Sequence, residues 1–542
     1  MEISKKALFL VSTVIALLLS RYAEAYTIRH SAVWTTIAIY TVLLSASSTW
    51  SIVLYPTFFS PLRDIPKPSG GSIFMGHFFK IMREPAGEPQ RQWVQEVPND
   101  GIIRYQFAFN DERVLLTSPK ALAEVLVTKN YEFIKPKRLR EGIGQILGIG
   151  ILLAEGDEHK RQRKNLMPAF SFRHVKDLYP VFWSKSREVT EAMTKAIQEP
   201  STDEKPNSVL EISTWASRVT LDIIGVAGMG QDFNAVQDPN NELYQTYRNI
   251  FSQSGSARVL GMLGFILPLW FLRALPVKRN QEVMEASKVI KRTAYDMIQA
   301  KKQKLEKAER TDVDILSVAL ESGGFTDEDL VNQLMTFLAA GHETTASSLT
   351  WAVYLLCRHP DVQRRLREEI RSGLPSISDP AAQVSSTDID RLPYLNAVCN
   401  EVLRVFSPVG LTLRAAANDS TILGHFIPKD TTIIISPWAV NVSKELWGDD
   451  ALEFNPERWL GPGRANTGGA DSNYSFLTFL HGPRSCIGQG FAKAEFACLV
   501  AAWAGRFEMQ LEKEDYVLEI GGGITSKPKG GLNVRLTAIE GW

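Results

Sequence analysis

One cysteine, Cys486, lies in a stretch of chain whose residue types suit a metal-binding thiolate. Residues 479–490 read FLHGPRSCIGQG, and the glycines and proline favour a tight loop. Apolar residues then recur at helical spacing through AKAEFACLVAAWAGRF, so the cysteine precedes a helix start. Unpaired N–H donors and the positive end of the helix dipole favour a thiolate there, and Arg484 adds positive charge. A lone cysteine is more often a small buried apolar residue, so the loop by itself leaves both interpretations open.

The spacing of the fixed residues in this loop resembles the haem-binding signature of the cytochrome P450 family at every fixed position. The matching residues are Phe479, Gly482, Arg484, Cys486 and Gly488. The resemblance implies that haem (iron protoporphyrin IX) is the cofactor and that the Cys486 thiolate is the axial ligand of its iron. It also implies that the other four residues surround the haem.

The longest helical pattern spans residues 326–356, with Thr326 as a capping residue. At its middle, the string AGHETT combines a glycine, a charge and two β-branched residues, which lowers helix propensity. A threonine hydroxyl can also bond the carbonyl one turn back and loosen the helix. An ordinary core helix with a tolerated polar patch is the alternative.

The AGHETT string resembles the oxygen-activation motif of the same family. The resemblance implies that Thr344 handles the proton and the hydrogen bond needed for oxygen activation, and that Glu343 feeds protons from solvent. His342 occupies the variable position of the motif, so no role follows for it.

A dense basic cluster, GDEHKRQRK, opens a helix at residues 156–164, and His159 and Arg163 share one face of it. Charge pattern alone fits a solvated basic face equally well. An anion site is the functional alternative, because haem carries two propionates that need cationic partners. The family usually has Trp-x-x-x-Arg here, and His159 replaces the tryptophan, so Arg163 is the safer assignment. Arg414 resembles the second propionate ligand of the family.

Glu401 and Arg404 lie three apart on one predicted helix face and can pair. If exposed, such a pair would contribute only a few tenths of a kcal/mol. The pair resembles the family's ExxR motif, and the downstream string FNPERW supplies Arg458. The resemblance implies a buried salt-bridged network of these three residues that fixes the cysteine loop, which is a structural role.

Composition describes an ordinary globular protein with a sizeable core: 542 residues, 44% hydrophobic and 22% charged. The net charge is zero, so nothing indicates a nucleic-acid partner. The cysteines form no CxxC pair and the histidines no HExxH cluster, so a metal must arrive inside a cofactor. No GxGxxG unit follows a strand, and electrons must therefore come from a partner. The resemblance implies NADPH-cytochrome P450 reductase, with cytochrome b5 as a second candidate.

The amino end predicts a membrane anchor. We divide the chain into residues 1–30, a signal-like segment or first arm of a membrane hairpin; 31–55, a transmembrane helix; 56–70, a proline-rich hinge; and 71–542, a haem-thiolate catalytic domain. Three topologies are open: a cleaved signal followed by a span, a two-span hairpin, and a single span with a lumenal domain. The basic residues after the long span favour a cytosolic domain and an endoplasmic reticulum membrane location. Sequons at Asn418, Asn441 and Asn473 would favour the lumen if used.

A second apolar run lies between Arg258 and Arg273 and is too short to span a bilayer. A buried core helix and a membrane-dipping substrate-entrance segment, as in the family, are both open.

The resemblance implies the cytochrome P450 fold, which is mainly α with a smaller β-rich part near the amino end. The implied activity is monooxygenation, which inserts one oxygen atom from O2 into a lipophilic small molecule. The helix and hinge are similar in style to fungal members that modify terpenoid or polyketide skeletons. A haem-thiolate isomerase or dehydratase and a non-catalytic haem-binding protein are the alternatives.

Overall fold

The computed structural model describes residues 4–199, 208–251, 255–264, 267–307 and 314–542. Helices dominate this part of the chain, and the mainly α prediction is confirmed. In order they are α1 (Lys5–Tyr22), α2 (Ala32–Thr49), α3 (Phe78–Arg83), α4 (Glu88–Glu96), α5 (Pro119–Ala123), α6 (Lys137–Leu147), α7 (Gly156–Leu166), α8 (Phe172–Asp177), α9 (Tyr179–Gln198), α10 (Ile212–Ile223), α11 (Glu242–Phe251), α12 (Gly255–Leu263), α13 (Leu269–Ala274), α14 (Lys278–Glu306), α15 (Ile315–Glu321), α16 (Asp327–Arg358), α17 (Pro360–Gly373), α18 (Ser386–Asp390), α19 (Pro393–Val405), α20 (Pro437–Val440), α21 (Lys444–Trp447) and α22 (Gln489–Arg506).

The strands form small sheets beside the helical body. They are β1 (Ile102–Gln106), β2 (Glu112–Leu116), β3 (Phe133–Ile134), β4 (Val209–Glu211), β5 (Thr412–Ala416), β6 (Ser420–Ile422), β7 (His425–Ile427), β8 (Thr432–Ile435), β9 (Phe507–Leu511), β10 (Ile520–Gly521), β11 (Lys527–Pro528) and β12 (Asn533–Ala538). The largest sheet has the order β1-β2-β8-β5-β3, and it is antiparallel except for the β2–β8 pair. The predicted β-rich part near the amino end is therefore completed by strands from the carboxyl-terminal half.

Helix α16 is the long central helix on which the site is built. Thr326 caps it: its hydroxyl accepts the Asp329 N–H at 3.2 Å, and the Asp329 carboxylate accepts the Thr326 N–H at 3.1 Å. This reciprocal pair satisfies two backbone donors that would otherwise be unpaired. Further along, Trp351 is fully buried and stacks on Phe406 with ring centroids 4.1 Å apart. Helices α10, α14 and α22 pack against α16, so its position is fixed by the main core.

The amino-terminal helices α1 and α2 lie against each other, with Phe9 and Tyr40 in edge contact at 5.7 Å. Helix α2 continues as π-helical turns over Trp50–Phe59. The combined helix Ala32–Phe59 has 28 residues and a mean hydropathy of 1.7, and in the described part of the chain it alone is long and apolar enough to cross a membrane. It agrees with the predicted amino-terminal anchor and extends four residues beyond the predicted end at residue 55.

The carboxyl end of this anchor helix is hydrogen-bonded to residues of β1 and of the β1–β2 connection. Buried Arg104 of β1 donates from Nη2 to the Pro56 carbonyl at 2.8 Å. Asn110 donates from Nδ2 to the carbonyls of Ile52 and Ile73, each at 2.6 Å. A buried polar group that lacks a hydrogen-bond partner destabilises the fold. These contacts therefore fix the position of the anchor helix relative to the large sheet.

The apolar run between Arg258 and Arg273 forms the two short helices α12 and α13, with residues 265–266 outside the described part. Trp270 is 71% exposed and Val259 is 51% exposed. A single buried core helix, one of the two interpretations of this run, is therefore wrong for the described residues. Large apolar side chains that face outward fit a surface that meets lipid or a partner.

One of the three sequons lies inside the protein core. Asn441 is fully buried, donates from Nδ2 to Thr478 Oγ1 at 2.8 Å, and accepts the Leu477 N–H at 2.7 Å. A glycan on Nδ2 has no space in the folded chain, so this sequon carries no argument for a lumenal domain.

Candidate active site

The loop that precedes α22 holds Cys486 at its centre. The Cys486 N–H donates to the Phe479 carbonyl at 2.8 Å, and the Ser485 N–H donates to the Gly482 carbonyl at 3.0 Å. Gly482 has a φ of +79°, and a Cβ there would lie 2.2 Å from the Leu126 carbonyl oxygen. Only glycine fits this position, so the sequence fixes the path of the loop.

Cys486 is exposed to solvent-sized space, yet its thiol is surrounded closely enough by protein that burial raises its pKa. The Gly488 N–H and the positive charge of Arg163 lower the pKa and offset part of the burial effect. The expectation of a stabilised thiolate stays a prediction: burial in the protein alone raises the pKa, whereas a cation bound at the sulfur would favour the charged form.

The middle of α16 presents an open face on an otherwise buried helix. Ala340 is exposed and Thr344 is half-buried, whereas the flanking Ala339 and Thr345 are buried. The Thr344 hydroxyl donates to the Ala340 carbonyl one turn back at 2.8 Å, as the sequence predicts. A small residue and a hydroxyl one turn apart on this face leave room for a ligand beside the helix.

Phe170 bridges α16 and the cysteine loop. Its ring lies 5.6 Å from that of Phe337 on α16, and it is the nearest neighbour of Gly488, 3.7 Å from where a Cβ would be. Phe337 precedes Thr344 by seven residues, which is two helical turns on the same side of α16. The cysteine loop and the open face of α16 are thus parts of one site.

A cluster of cations surrounds a single carboxylate near the loop. Burial and the charge of Arg484 lower the pKa of Arg414 to about 10. Burial, together with Arg414 and Arg484, also holds the pKa of Lys135 well below its ordinary value. Glu155 accepts from Arg484 and from the Lys135 backbone N–H, and it offsets part of the repulsion.

His159 belongs to the same cluster. Burial, with Arg484 and Lys135 as the next causes, lowers the pKa of His159 to about 4, so the ring is neutral at physiological pH. The Tyr131 hydroxyl lies 3.0 Å from His159 Nδ1. Because the histidine is neutral and bonded to Tyr131, it can donate or accept one hydrogen bond but supplies no charge.

The predicted cationic residues have different neighbours. Arg163 donates from Nη1 to the Ser485 carbonyl at 2.7 Å, beside Cys486. Arg484 donates from Nη1 to the Phe133 carbonyl at 2.9 Å and pairs through Nη2 with Glu155. The guanidinium that acts on the thiol is therefore that of Arg163, whereas Arg484 faces the cation cluster. Arg414 donates to its neighbour, the Leu413 carbonyl, at 2.8 Å.

The donor set fits haem. Arg163, Arg414 and Arg484 bring three positive charges against the one negative charge of Glu155, and among the described residues the buried Arg484 Nε has no hydrogen-bond partner. Two propionates would offset this excess and pair the unmatched donor. A cysteine thiolate is one of the axial ligands that haem iron takes in proteins, and Cys486 lies beside the Arg163 guanidinium of this set.

The sequence did not single out Lys135, Tyr131 or Glu155. Lys135 follows the two-residue strand β3 and opens the basic string KPKRLR, which does not set it apart from its neighbours, while Glu155 is one residue before the basic cluster. Their shared position depends on how β3, α7 and the cysteine loop meet in space. A buried lysine beside two arginines is visible only in the fold.

The predicted network behind the loop is present. Glu401 and Arg404 of α19 are fully buried, and Arg458 donates from Nε to Glu401 Oε1 at 3.0 Å. Arg404 also donates to the Asn441 carbonyl at 2.9 Å, and the Asn441 side chain accepts the Leu477 N–H just ahead of the cysteine loop. The three charged residues are thus brought together and connected to the loop.

The helical body with small sheets, the cysteine loop and the AGHETT helix define a member of the cytochrome P450 class. A family model described as Cytochrome P450 matches residues 66–532. The chain belongs to this family and is a cytochrome P450 monooxygenase, for which the family implies a haem cofactor.

Among curated proteins, the chain is similar to Cytochrome P450 monooxygenase sphH of Aspergillus fumigatus, with 49% identity over 515 residues that cover 93% of this chain and 94% of the relative. It is also similar to Cytochrome P450 monooxygenase FUM15 of Gibberella moniliformis, with 44% identity over 540 residues and 90% of each chain covered. The similarity thus extends over almost the whole length of both relatives.

Proposed function

We propose that the chain inserts one oxygen atom from O2 into a lipophilic small molecule of secondary metabolism, a terpenoid or polyketide intermediate. Cys486 is the residue that we assign as axial ligand. The observation that carries this assignment is the accessible side chain of Cys486 in a loop closed by its N–H bond to the Phe479 carbonyl, with Arg163 bonded to the adjacent Ser485 carbonyl. Haem bound through a thiolate supplies the oxygen-activating chemistry. Phe479, Gly482, Arg484 and Gly488 shape the loop around it.

The chain's own residues bind the cofactor and deliver protons. We assign Arg414, Arg163 and Lys135 to its propionates, with His159 as a neutral hydrogen-bonding neighbour; the net positive charge of the cluster supports this assignment. Thr344 holds a proton on the open face of α16, where its hydroxyl is already ordered by the Ala340 carbonyl. Glu343 precedes Thr344 on α16, is 11% exposed at its side chain, and supplies protons.

Electrons come from NADPH through a membrane-bound cytochrome P450 reductase, with cytochrome b5 as a further donor. The anchor helix Ala32–Phe59 and the outward apolar side chains of α12 and α13 support a location on the endoplasmic reticulum membrane with the catalytic domain in the cytosol. We retain the division into segments 1–30, 31–55 and 56–70 ahead of the catalytic domain 71–542. Apolar substrates would then reach the site from lipid.

The proposal is tested with the full-length chain in membranes with a reductase. NADPH oxidation, O2 uptake and products are measured with a panel of a sesquiterpene, a C12 fatty acid and an aromatic polyketide, under 18O2. A product that carries one 18O atom is the expected result. Conversion of a panel compound in the absence of O2 would instead indicate an isomerase or dehydratase. Bound haem with no conversion of any panel compound, with or without O2, would indicate a non-catalytic protein.

A further inference from the structure

The Glu343 carboxylate is surrounded by polar groups from two different elements. Oε1 accepts from the Thr525 hydroxyl at 3.0 Å and lies 3.5 Å from Lys527 Nζ. Oε2 lies 4.0 Å from Nε2 of His342, its neighbour on α16. The two carboxylate oxygens therefore face different surroundings: a hydroxyl and a cation on one side, an imidazole on the other.

Thr525 and Lys527 belong to the β10–β11 hairpin, which is fastened to α16 through the residue between them. The Ser526 carbonyl accepts the Ser347 hydroxyl at 2.5 Å, and Ser526 Oγ accepts Trp351 Nε1 at 3.1 Å. Thr525 and Lys527 flank this attached residue, and the side chains of both reach the Glu343 carboxylate.

His342 presents an unpaired acceptor to the other oxygen. Its Nδ1 is bonded to the Leu338 carbonyl, which can only accept, so Nδ1 carries the proton. Burial lowers the pKa of His342, which leaves the ring neutral and Nε2 unprotonated. Among the described residues Nε2 has no hydrogen-bond partner, although the side chain is only 1% exposed. The ring of Tyr247, 4.8 Å away, packs against the imidazole and keeps it in this orientation.

An imidazole acceptor beside a carboxylate oxygen is unsatisfied while the carboxylate is ionised, and it gains a partner when that oxygen is protonated. On the opposite side, Lys527 and Thr525 stabilise the ionised form. Lys527 is 36% exposed at its side chain, so it also connects the nearly buried carboxylate with solvent. Glu343 thus has a hydroxyl and a cation beside one oxygen, and beside the other an imidazole acceptor 4.0 Å away, which a protonated carboxyl would have to approach to form a hydrogen bond.

We propose that Lys527 and His342 are positioning residues for Glu343: Lys527, with Thr525, orients the ionised carboxylate toward solvent, and His342 Nε2 accepts a hydrogen bond from the protonated carboxyl. This inference rests on the proposed role of Glu343 as proton source. It assigns a function to the hairpin and to the variable position of the AGHETT string. The carboxylic proton can be replenished from solvent between turnovers without loss of the side-chain orientation.

The experiment uses the full-length holoenzyme in membranes with reductase and the panel compound that the unmodified enzyme converts. Lys527→Met removes the ammonium and keeps the side-chain length, Lys527→Arg keeps the charge, and Lys529→Met is the matched control. Lys529 lies on the same hairpin but pairs with Glu519 at 2.7 Å in an exposed position. The readouts are product formed per NADPH, hydrogen peroxide released, and the ratio of rates in H2O and D2O.

We expect Lys527→Met to lower product per NADPH between about 10- and 100-fold, with more peroxide and a larger solvent isotope effect, because protons arrive too slowly. Lys527→Arg restores coupling, which is the product formed per NADPH consumed, and Lys529→Met leaves this ratio unchanged. Equal behaviour of Lys527→Met and Lys529→Met would overturn the inference.

The His342 arm uses His342→Leu, which lacks an acceptor, and His342→Gln, whose amide oxygen can accept. The Leu variant is expected to lose coupling and the Gln variant to regain most of it. Retention of the reduced CO band shows that each variant is folded and holds haem. If both variants couple like the unmodified enzyme, the role of His342 is refuted. A lack of O2-dependent product in the unmodified enzyme would instead refute the proposed function.

Discussion

Glu401 and Arg404 form a bidentate ion pair in which both side chains are fully buried. Arg404 Nε donates to Glu401 Oε2 and Arg404 Nη2 donates to Glu401 Oε1, each at 2.8 Å. Three further groups donate to the same carboxylate: Arg458 Nε, Trp459 Nε1 and the Asn455 N–H. Every lone pair of the buried charge is thereby used. Removal of the acid leaves buried Arg404 with no counter-charge, while Arg458 keeps only the half-exposed Asp450 carboxylate.

We therefore expect Glu401→Gln to cost on the order of 3–5 kcal/mol in free energy of unfolding and to reduce the haem-loaded fraction. Urea unfolding and the haem-to-protein absorbance ratio measure the two effects. The control is Arg365→Ala, which breaks the half-exposed Arg365–Glu457 pair nearby and should cost under about 1 kcal/mol. Equal costs for the two variants would show that the buried network has no special structural role.

The cation cluster predicts a defect in haem retention. Arg414→Met removes a charge that we assign to a propionate, and the loss of a charge-assisted hydrogen bond of about 1.5–3 kcal/mol corresponds to roughly 10- to 100-fold faster haem release. Haem transfer to apomyoglobin measures the rate. Lys160→Met is the control, since Lys160 lies on α7 in an exposed pair with Asp157. Release at the unmodified rate in Arg414→Met would contradict the assignment.

Thr344→Val keeps the shape of the side chain and removes the hydroxyl on the open face of α16. Because general acid–base groups contribute about 10²- to 10⁴-fold, product formation should fall by at least about 100-fold while NADPH oxidation continues and peroxide accumulates. Thr345→Val, at the buried neighbouring position, is the control and should remain coupled. A fully coupled Thr344→Val enzyme would refute the proton role of Thr344.

The buried carboxyl group of Asp222 should make the free energy of unfolding depend on pH. It is fully buried and accepts the N–H groups of Ala235 and Val236 at 2.7 and 2.8 Å, and burial raises its pKa from 3.8 to about 6. A raised folded-state pKa contributes stability that is complete below pH 3.8 and is lost as the pH rises through 6.

The unmodified chain should thus gain about 1–1.5 kcal/mol relative to Asp222→Asn on going from about pH 7.5 to pH 5. Urea midpoints of both chains at the two pH values measure this difference. A pH-independent difference, or one that grows toward pH 7.5, would contradict the raised pKa.

Much of this molecule could be predicted from local pattern. Short sequence motifs with fixed spacing identify the AGHETT helix, the cysteine loop and the Glu401 network. The helical content follows from the periodicity of apolar residues. The partners of those residues could not be predicted, because they come from distant segments. Lys135 meets Arg414 across 279 residues (414 minus 135), and Thr525 meets Glu343 across 182.

The thiol of Cys486 shows a different limit of the sequence. Helix-start donors and Arg484 predict a stabilised thiolate, but only the fold shows that Arg484 faces Glu155 and that burial raises the thiol pKa. The bond from buried Arg104 to the Pro56 carbonyl at the end of the anchor is another contact that the sequence could not predict, because the two residues lie in different elements.

Thiolate ligation by Cys486 is the central claim, and one spectrum tests it most directly. The purified full-length chain is reduced with dithionite and exposed to carbon monoxide, in parallel with Cys486→His, which offers a neutral ligand. The account predicts a Soret band at the wavelength that gives the family its name in the unmodified chain, and a band at shorter wavelength typical of a nitrogen ligand in the variant. The same thiolate-type band in both proteins would contradict it.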